Sequence, residues 1–279
     1  MTMAVSAPRA RRRAIRPGTL LGLLIVGAML FAAIFPEIAS PMDPLAFDYT
    51  ALLQPPSLKH PFGTDQFGRD ILSRTITAAR IDLQIAIFGT VPALLIGVAV
   101  GTLAGYFGGI ADIIFGRIVD FVMTFPFIII VIAMVAVLGP GLVNMYIAVA
   151  AFNWIFYGRL MRNDVVVQLK QDYVAAARVL GFSPARILLR HVVPNAIRSV
   201  FVYWVTDLAV IILVGSSLGY IGLGAQPPTP EWATLAAEGK TFFSQAPWIS
   251  FFPGLTVVIC GLGFSLLGDA LNDRLDVRR

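Results

Sequence analysis

An all-α integral membrane protein of about six transmembrane helices is the fold class that this sequence predicts, on three observations. Hydrophobic residues make up 57% of the chain and charged residues 13%, with a mean hydropathy of +0.80, whereas a soluble domain carries roughly 25% charged residues. Apolar runs long enough to cross a bilayer recur along the chain, separated by glycine, proline or charge. The basic residues are divided unequally between alternate connecting segments, as in multi-pass membrane proteins.

Residues 1–17 are a basic tail with Arg9, Arg11, Arg12, Arg13 and Arg16 and no acidic residue. The apolar run at 18–35 is too long for the hydrophobic part of a signal peptide and is followed by no small-residue cleavage site, so it reads as an uncleaved first helix. At 1.5 Å per residue it spans about 27 Å, enough for the hydrocarbon core. Residues 36 to about 80 hold Pro36, Pro41, Pro44, Pro55, Pro56 and Pro61 and are expected to form an exported loop.

The membrane domain, 18–279, then continues with spans at about 81–103, 118–138, 142–157, 200–218 and 251–267. Gly97, Gly101 and Gly105 recur every four residues in the second span, a spacing that puts small residues on one face and lets another helix approach closely. Pro92 and Pro126 fall inside the second and third spans and are expected to kink them. Six spans place both termini on one side. That side holds 16 of the 21 Lys and Arg residues, and Lys59, Arg69, Arg74, Arg80 and Lys240 remain opposite, so the positive-inside rule expects cytoplasmic termini. This division by membrane side also argues against a nucleic-acid partner. One cysteine, Cys260, excludes a disulfide framework within the chain.

The interval 158–198 is the longest polar stretch between apolar runs, and within it residues 171–194 read as two short helices meeting at a corner. Asp172 is placed to cap the first, and Gly181 stands where a left-handed residue would end it. Ser183 and Pro184 suit the N-cap and first position of the second helix, and Phe182 suits a staple onto Ile187. The stretch offers no acid–base pair, activated nucleophile or metal cluster, and a rigid protrusion of this kind suits contact with a partner.

These residues resemble the E-A-A-x-x-x-G motif of ATP-binding-cassette importer permeases. Ala176, Ala177, Gly181 and Pro194 fall on matching positions, Ala175 replaces the glutamate, and His191 and Val193 stand where Ile and Leu are usual. HPFGTDQFGRDILSR from His60, GYFGG from Gly105, GLGAQPPTPEW from Gly222, and the FPGL and LLGDAL stretches are similar to the second, C-type permease of the dipeptide/oligopeptide/nickel family. The resemblance implies a type I importer architecture in the cytoplasmic (inner) membrane of a prokaryote, with 158–198 as the ATPase-coupling loop and Tyr173 and Phe182 among its contacts. It implies as partners a homologous second permease, two cytoplasmic ATP-binding subunits, an extracytoplasmic binding protein and membrane lipid. ATP and Mg would be used by the ATPase subunits, with no cofactor and no catalytic residue on this chain.

Other signals are weaker. Gly239-Lys240-Thr241 ends like a P-loop, but Thr234 stands where the first glycine is needed. Ser216 and Ser217 lack a histidine in reach, since His60 and His191 belong to opposite loops, and two separated histidines make no metal site. Asp120 and Asp207, acids within spans, are candidates for the translocation pathway. Asp120 is expected at the cytoplasmic end of its span, beside Arg117. Asp207 either faces a wet cavity or accepts hydrogen bonds from neighbouring helices. Peptide-type members often carry a glutamate where Gly215 stands here, which leaves the substrate open between peptides and a nickel or metal chelate. A secondary transporter driven by an ion gradient is the alternative from another class, but residues 18–138 and 142–267 show no repeat of the kind it would favour.

Overall fold

The computed structural model describes residues 16–275, so the 1–17 tail, apart from Arg16 and Pro17, and Arg278 and Arg279 lie outside the described residues. Among these residues all extended regular structure is helical, with one isolated β-bridge between Thr64 and Asp70. Helix α1 (Pro17–Ile34) opens on proline, which loses no donor there, and a short turn α2 (Pro36–Ala39) follows. Arg16 pairs with Asp273 at the far end of the last helix, α11 (Trp248–Leu275), against which α1 packs.

Helix α3 (Ile71–Phe107) begins ten residues before the expected span, because Asp70 caps it by accepting from the Ser73 amide at 2.8 Å. Its 37 residues measure about 55 Å, far more than the hydrocarbon core, so its first turns belong to the polar loop. Pro92 does not interrupt it. Gly108 and Gly109 both have positive φ, and there the chain turns into α4 (Gly109–Met123).

The expected kinked span at 118–138 is instead two separate helices. Helix α4 starts at 109, ends at Met123, and meets α5 (Phe127–Leu138) at 85°. The physical reason is Pro126, which disfavours helical geometry at Phe125 and becomes the N-cap of α5 instead of a kink within one helix. Helix α6 (Leu142–Gln168) runs well past the expected 157. Four helical stretches are each long and apolar enough to cross a membrane: α1, α3, the continuous rod Pro184–Tyr220 and α11. The bent α4–α5 pair is a fifth if it crosses as one. The expected span at 142–157 falls in α6, which is not among them, its apolar run being diluted by Asn144, Asn153 and Arg159.

The tightest packing joins α3 to α6. A methyl group at Gly97 would stand 2.5 Å from the Trp154 carbonyl, one at Gly105 2.8 Å from that of Arg162, and one at Gly101 would overlap the carbonyl of Gly158. All three glycines are buried, and their face is where two backbones touch. The proline-rich segment beyond α2 folds over the end of the bundle. Asp65 binds Arg69 at 2.6 Å and Arg74 at 2.8 Å, and Glu238, from the segment after the rod, binds Arg74 at 2.8 Å. The Phe62 and Phe252 rings stack beneath it at 4.0 Å.

Gly101→Ala should therefore separate α3 from α6 and lower stability by roughly 1–3 kcal/mol, whereas Gly116→Ala, with nothing within 4 Å, should leave it unchanged. Thermal unfolding of the purified protein in detergent checks the pair. Equal melting temperatures would show that the helices are free to part.

Candidate functional site

The polar corner is built by local sequence rules. Helix α7 (Asp172–Val179) has Gln171 at its N-cap, so Asp172 is the first helical residue and not the cap expected of it. As an acid in the first turn it still favours the helix dipole. At the other end Gly181 takes φ +75°. The Phe182 amide donates to the Ala177 carbonyl at 3.1 Å and the Gly181 amide to that of Arg178 at 3.0 Å, the paired bonds of a Schellman ending. Ser183 then caps α8 (Pro184–Ile187), accepting from the Arg186 amide at 3.4 Å.

Helix α8 does not stop. A π-helical turn, Leu188–Val192, carries it into α9 (Val193–Tyr220), making one rod from Pro184 to Tyr220. The wider turn places the Val193 amide on the Leu188 carbonyl just before Pro194, which has no amide to donate. Asn195 covers the His191 carbonyl with its side chain at 2.7 Å.

The two faces of α7 differ sharply. Val174 and Ala177 are buried against Met161 and Val165 of α6 and Ile187 and Val192 of the rod. Asp172, Tyr173, Ala175 and Ala176 are exposed, and beyond them Val179 and Leu180 stand 88% and 71% exposed, too much apolar surface for a helix end with nothing against it. The Tyr173 hydroxyl donates to Gln168 at 2.6 Å, so this ring is tied back to the end of α6. Phe182 stacks on His191 and lies under the Arg186 guanidinium at 4.2 Å, so it braces the corner more than it projects from it.

Asp207 is 3% exposed and lies between α6 and the rod. Its carboxylate accepts from the Asn153 amide at 2.7 Å and the Tyr157 hydroxyl at 2.6 Å. Of the two readings open from sequence, this geometry is that of the interhelical hydrogen bond. Its partners stand 50 and 54 positions earlier, where hydropathy gives no signal. Asp120 also moves. It is 11 residues along α4, about 16 Å from the start of the helix, and forms no ion pair with Arg117 among the described residues. It is exposed, and lines a cavity shared with Asp112, Arg159 and Arg162.

A second pair of buried acids was not legible in the sequence. Glu231 caps α10 (Trp232–Glu238), accepting from the amides of Ala233 and Thr234 at 2.8 Å each, and burial pushes its carboxyl above the ordinary value. The Trp232 amide donates to Asp82 of α3 at 3.1 Å, and the indole to the Thr75 carbonyl at 2.8 Å, so the PPTPEW stretch is pinned to the head of α3. His60 bonds Asp70 at 3.0 Å within the folded loop. No group of three metal-ligating side chains occurs among the described residues.

A multi-pass helical bundle that presents a rigid helical corner at one end is the class of a membrane transport component. Residues 97–279 match the family model of the binding-protein-dependent transport system inner membrane component, and the chain belongs to that family. It is similar to a dipeptide transport system permease protein, DppC, of Alkalihalophilus pseudofirmus, at 38% identity covering 92% of this chain and 84% of the relative. A glutathione transport system permease protein, GsiD, of Pectobacterium atrosepticum is 40% identical, over 82% and 76% of the two chains. A di/tripeptide transport system permease protein, DppC, of Pseudomonas aeruginosa is 38% identical, over 93% and 88%.

Two outcomes test this geometry. At Gly181 a side chain would meet nothing within 4 Å, so the cost of substitution is backbone strain alone, about 1 kcal/mol for alanine and more for a β-branched residue. Transport by the assembled system should fall in the order Gly181, Gly181→Asn, Gly181→Ala, Gly181→Val, and equal activity of the Asn and Ala variants would exclude a left-handed requirement. At Asp207 asparagine keeps an acceptor for Asn153 and Tyr157, while alanine strands two buried donors at about 1–3 kcal/mol each. Asp207→Asn should match the parent in melting temperature and transport, and Asp207→Ala should lose several degrees. A transport defect in the Asn variant at unchanged stability would return Asp207 to the pathway.

Proposed function

We propose that this chain is one of two homologous permease subunits of an ATP-driven importer for dipeptides, oligopeptides or glutathione-like peptides. Its relatives at 38–41% identity are named for dipeptide, di/tripeptide and glutathione transport, which supports that substrate class. An extracytoplasmic binding protein delivers the peptide, and two cytoplasmic ATPase subunits handle ATP and Mg, leaving this chain without a cofactor. Both termini and the 158–198 loop face the cytoplasm, in line with the division of basic residues.

The observation that carries the mechanism is the continuity of the corner with a membrane-length rod. The exposed face of α7, with Tyr173, Ala175 and Ala176, docks on an ATPase subunit, and Gly181, Phe182 and Pro194 hold the corner's shape. Closure of the ATPase dimer displaces α7, and because Val174 and Ala177 are buried against both α6 and the rod, neither can stay behind. The Asp207 bonds make α6 and α9 tilt together, so a cavity between the permeases opens alternately to either side.

Ala175 supplies no charge to this joint. An exposed ion pair is worth only about 0–1 kcal/mol, less than a well-buried aromatic. In the reconstituted complex Tyr173→Ala should lower peptide uptake per ATP hydrolysed about tenfold, while Ala175→Lys stays within about threefold. The reverse ranking, from parallel uptake and phosphate-release assays, would show that charge governs coupling.

A further inference from the structure

We propose that Asp82 and Glu231 hold a single proton between them, and that this proton ties the 222–232 loop, and with it the end of the rod remote from the corner, to α3.

Asp82 of α3 and Glu231 of the loop are 1% and 0% exposed, and their carboxyl groups lie within hydrogen-bond reach of each other. No cation balances them. Neither forms an ion pair among the described residues. Arg80, two positions before Asp82, is turned away to the Ala33 and Ile34 carbonyls, and Arg69 and Arg74 are taken by Asp65 and Glu238. The other titratable groups that feel Asp82 are Tyr146 of α6 and Cys260 of α11, a phenol and a thiol that are uncharged near neutral pH. Helices α1 and α9 bring Met29, Ala33, Leu208 and Ile212 to the apolar cluster around Trp232 and Cys260. Two ionised carboxylates in such a place would repel each other without the water that normally screens them, so the pair retains one proton.

The donors decide which acid carries it. Glu231 accepts from the Ala233 amide on Oε1 at 2.8 Å, and on Oε2 from the Thr234 amide at 2.8 Å and the Thr234 hydroxyl at 2.7 Å. Three donors favour the ionised form. Asp82 accepts from the Trp232 amide on Oδ2 at 3.1 Å, and its buried Oδ1 accepts nothing. A charged oxygen left unpaired there would be costly, whereas a protonated Asp82 donates to Glu231 and leaves the charge where the donors are. The bond so formed, from a hydroxyl to a carboxylate, is of the strong charge-assisted kind.

Three elements meet at this bond. A methyl group at Gly219, one residue from the end of the rod, would overlap a Glu231 oxygen, so the rod's backbone lies against the same carboxylate that Asp82 holds. With the proton lost, two negative charges face each other, and separation of the loop and rod end from α3 relieves the repulsion. Burial places the Glu231 carboxyl above its ordinary value. The stability contributed by the proton is therefore complete below that ordinary value and is lost as pH rises through the pair's own.

Asp82→Asn makes the protonated state permanent, its amide donating to Glu231 and its carbonyl accepting from Trp232. The full chain, in complex with its sister permease, is compared with this variant by infrared spectroscopy near neutral pH. The carbonyl band of a buried, protonated carboxylic acid should be present in the parent, and one such band should be missing from Asp82→Asn. Melting temperatures of the two complexes should coincide near pH 5, and by about pH 9 the parent should lie several degrees below the variant. Asp82→Ala, which also strands the Trp232 amide, should be less stable than both at either pH. In vesicles with the ATPase subunits and binding protein, the ratio of dipeptide uptake by Asp82→Asn to that by the parent should rise at least about threefold over the same range. An infrared spectrum unchanged by Asp82→Asn, a variant less stable than the parent at both pH values, or melting temperatures that stay equal at about pH 9 would overturn the proposal. The second of these would show a fully ionised pair around a bound cation. A flat uptake ratio would overturn the tie between this loop and a moving rod. Absence of dipeptide uptake by the parent would remove the peptide-importer reading alone, since the infrared and thermal results do not depend on it.

Discussion

Backbone contact between α3 and α6 is the constraint from which the rest of the structure follows. Gly97, Gly101 and Gly105 let the two helices approach until a methyl group at any of them would meet a carbonyl oxygen or backbone nitrogen of the other. Lipid provides no hydrophobic drive for this association, so the close fit and the polar contacts it permits have to supply it. Once α6 is fixed, its far end presents Met161 and Val165 as the floor on which α7 lies, and its middle presents Asn153 and Tyr157 to Asp207. The same helix therefore anchors the corner and the rod that leaves it.

Polar groups buried in this protein are arranged as ties between elements distant in sequence. Asp207 joins α9 to α6, Asp82 joins α3 to the loop before α10, and Asp65 and Glu238 share two arginines at one end of the bundle. Removing one partner from such a site leaves a buried charge or donor uncompensated, which costs more than the intact pair contributes. That asymmetry favours rigid movement of the tied units over local rearrangement. It suits a protein in which displacement at a short exposed helix must reach the membrane with little loss.

The corner was the part of the fold most open to sequence reasoning, because its determinants are local. Gly181 ending α7, Ser183 capping α8 and Pro184 opening it are all short-range choices of backbone geometry, and the structure forms each of them. Asp172 failed as a cap for an equally local reason: Gln171 already takes extended backbone geometry, and the helix begins one residue later. The continuation of α8 through a π turn into the rod was not legible, since Pro194 in a polar stretch reads as a boundary until its missing amide is absorbed by a wider turn.

Sequence by itself determined that the chain is a helical membrane protein, where most of its apolar helices run, which face of α3 is small, and how the chain reverses at Gly181. All of these depend on composition, on the 3.6-residue period or on backbone preferences over a few residues. Tertiary structure decided the meaning of the ionisable residues. Asp207 became a buried tie because helix packing brought two donors from fifty or more positions away, and Asp120 moved from the start of a span to the last turn of α4 because two positive-φ glycines started that helix early. A carboxylate in an apolar run has the same hydropathy whether it meets a donor, a cavity or a partner chain, and only the packing of helices far apart in sequence distinguishes these environments.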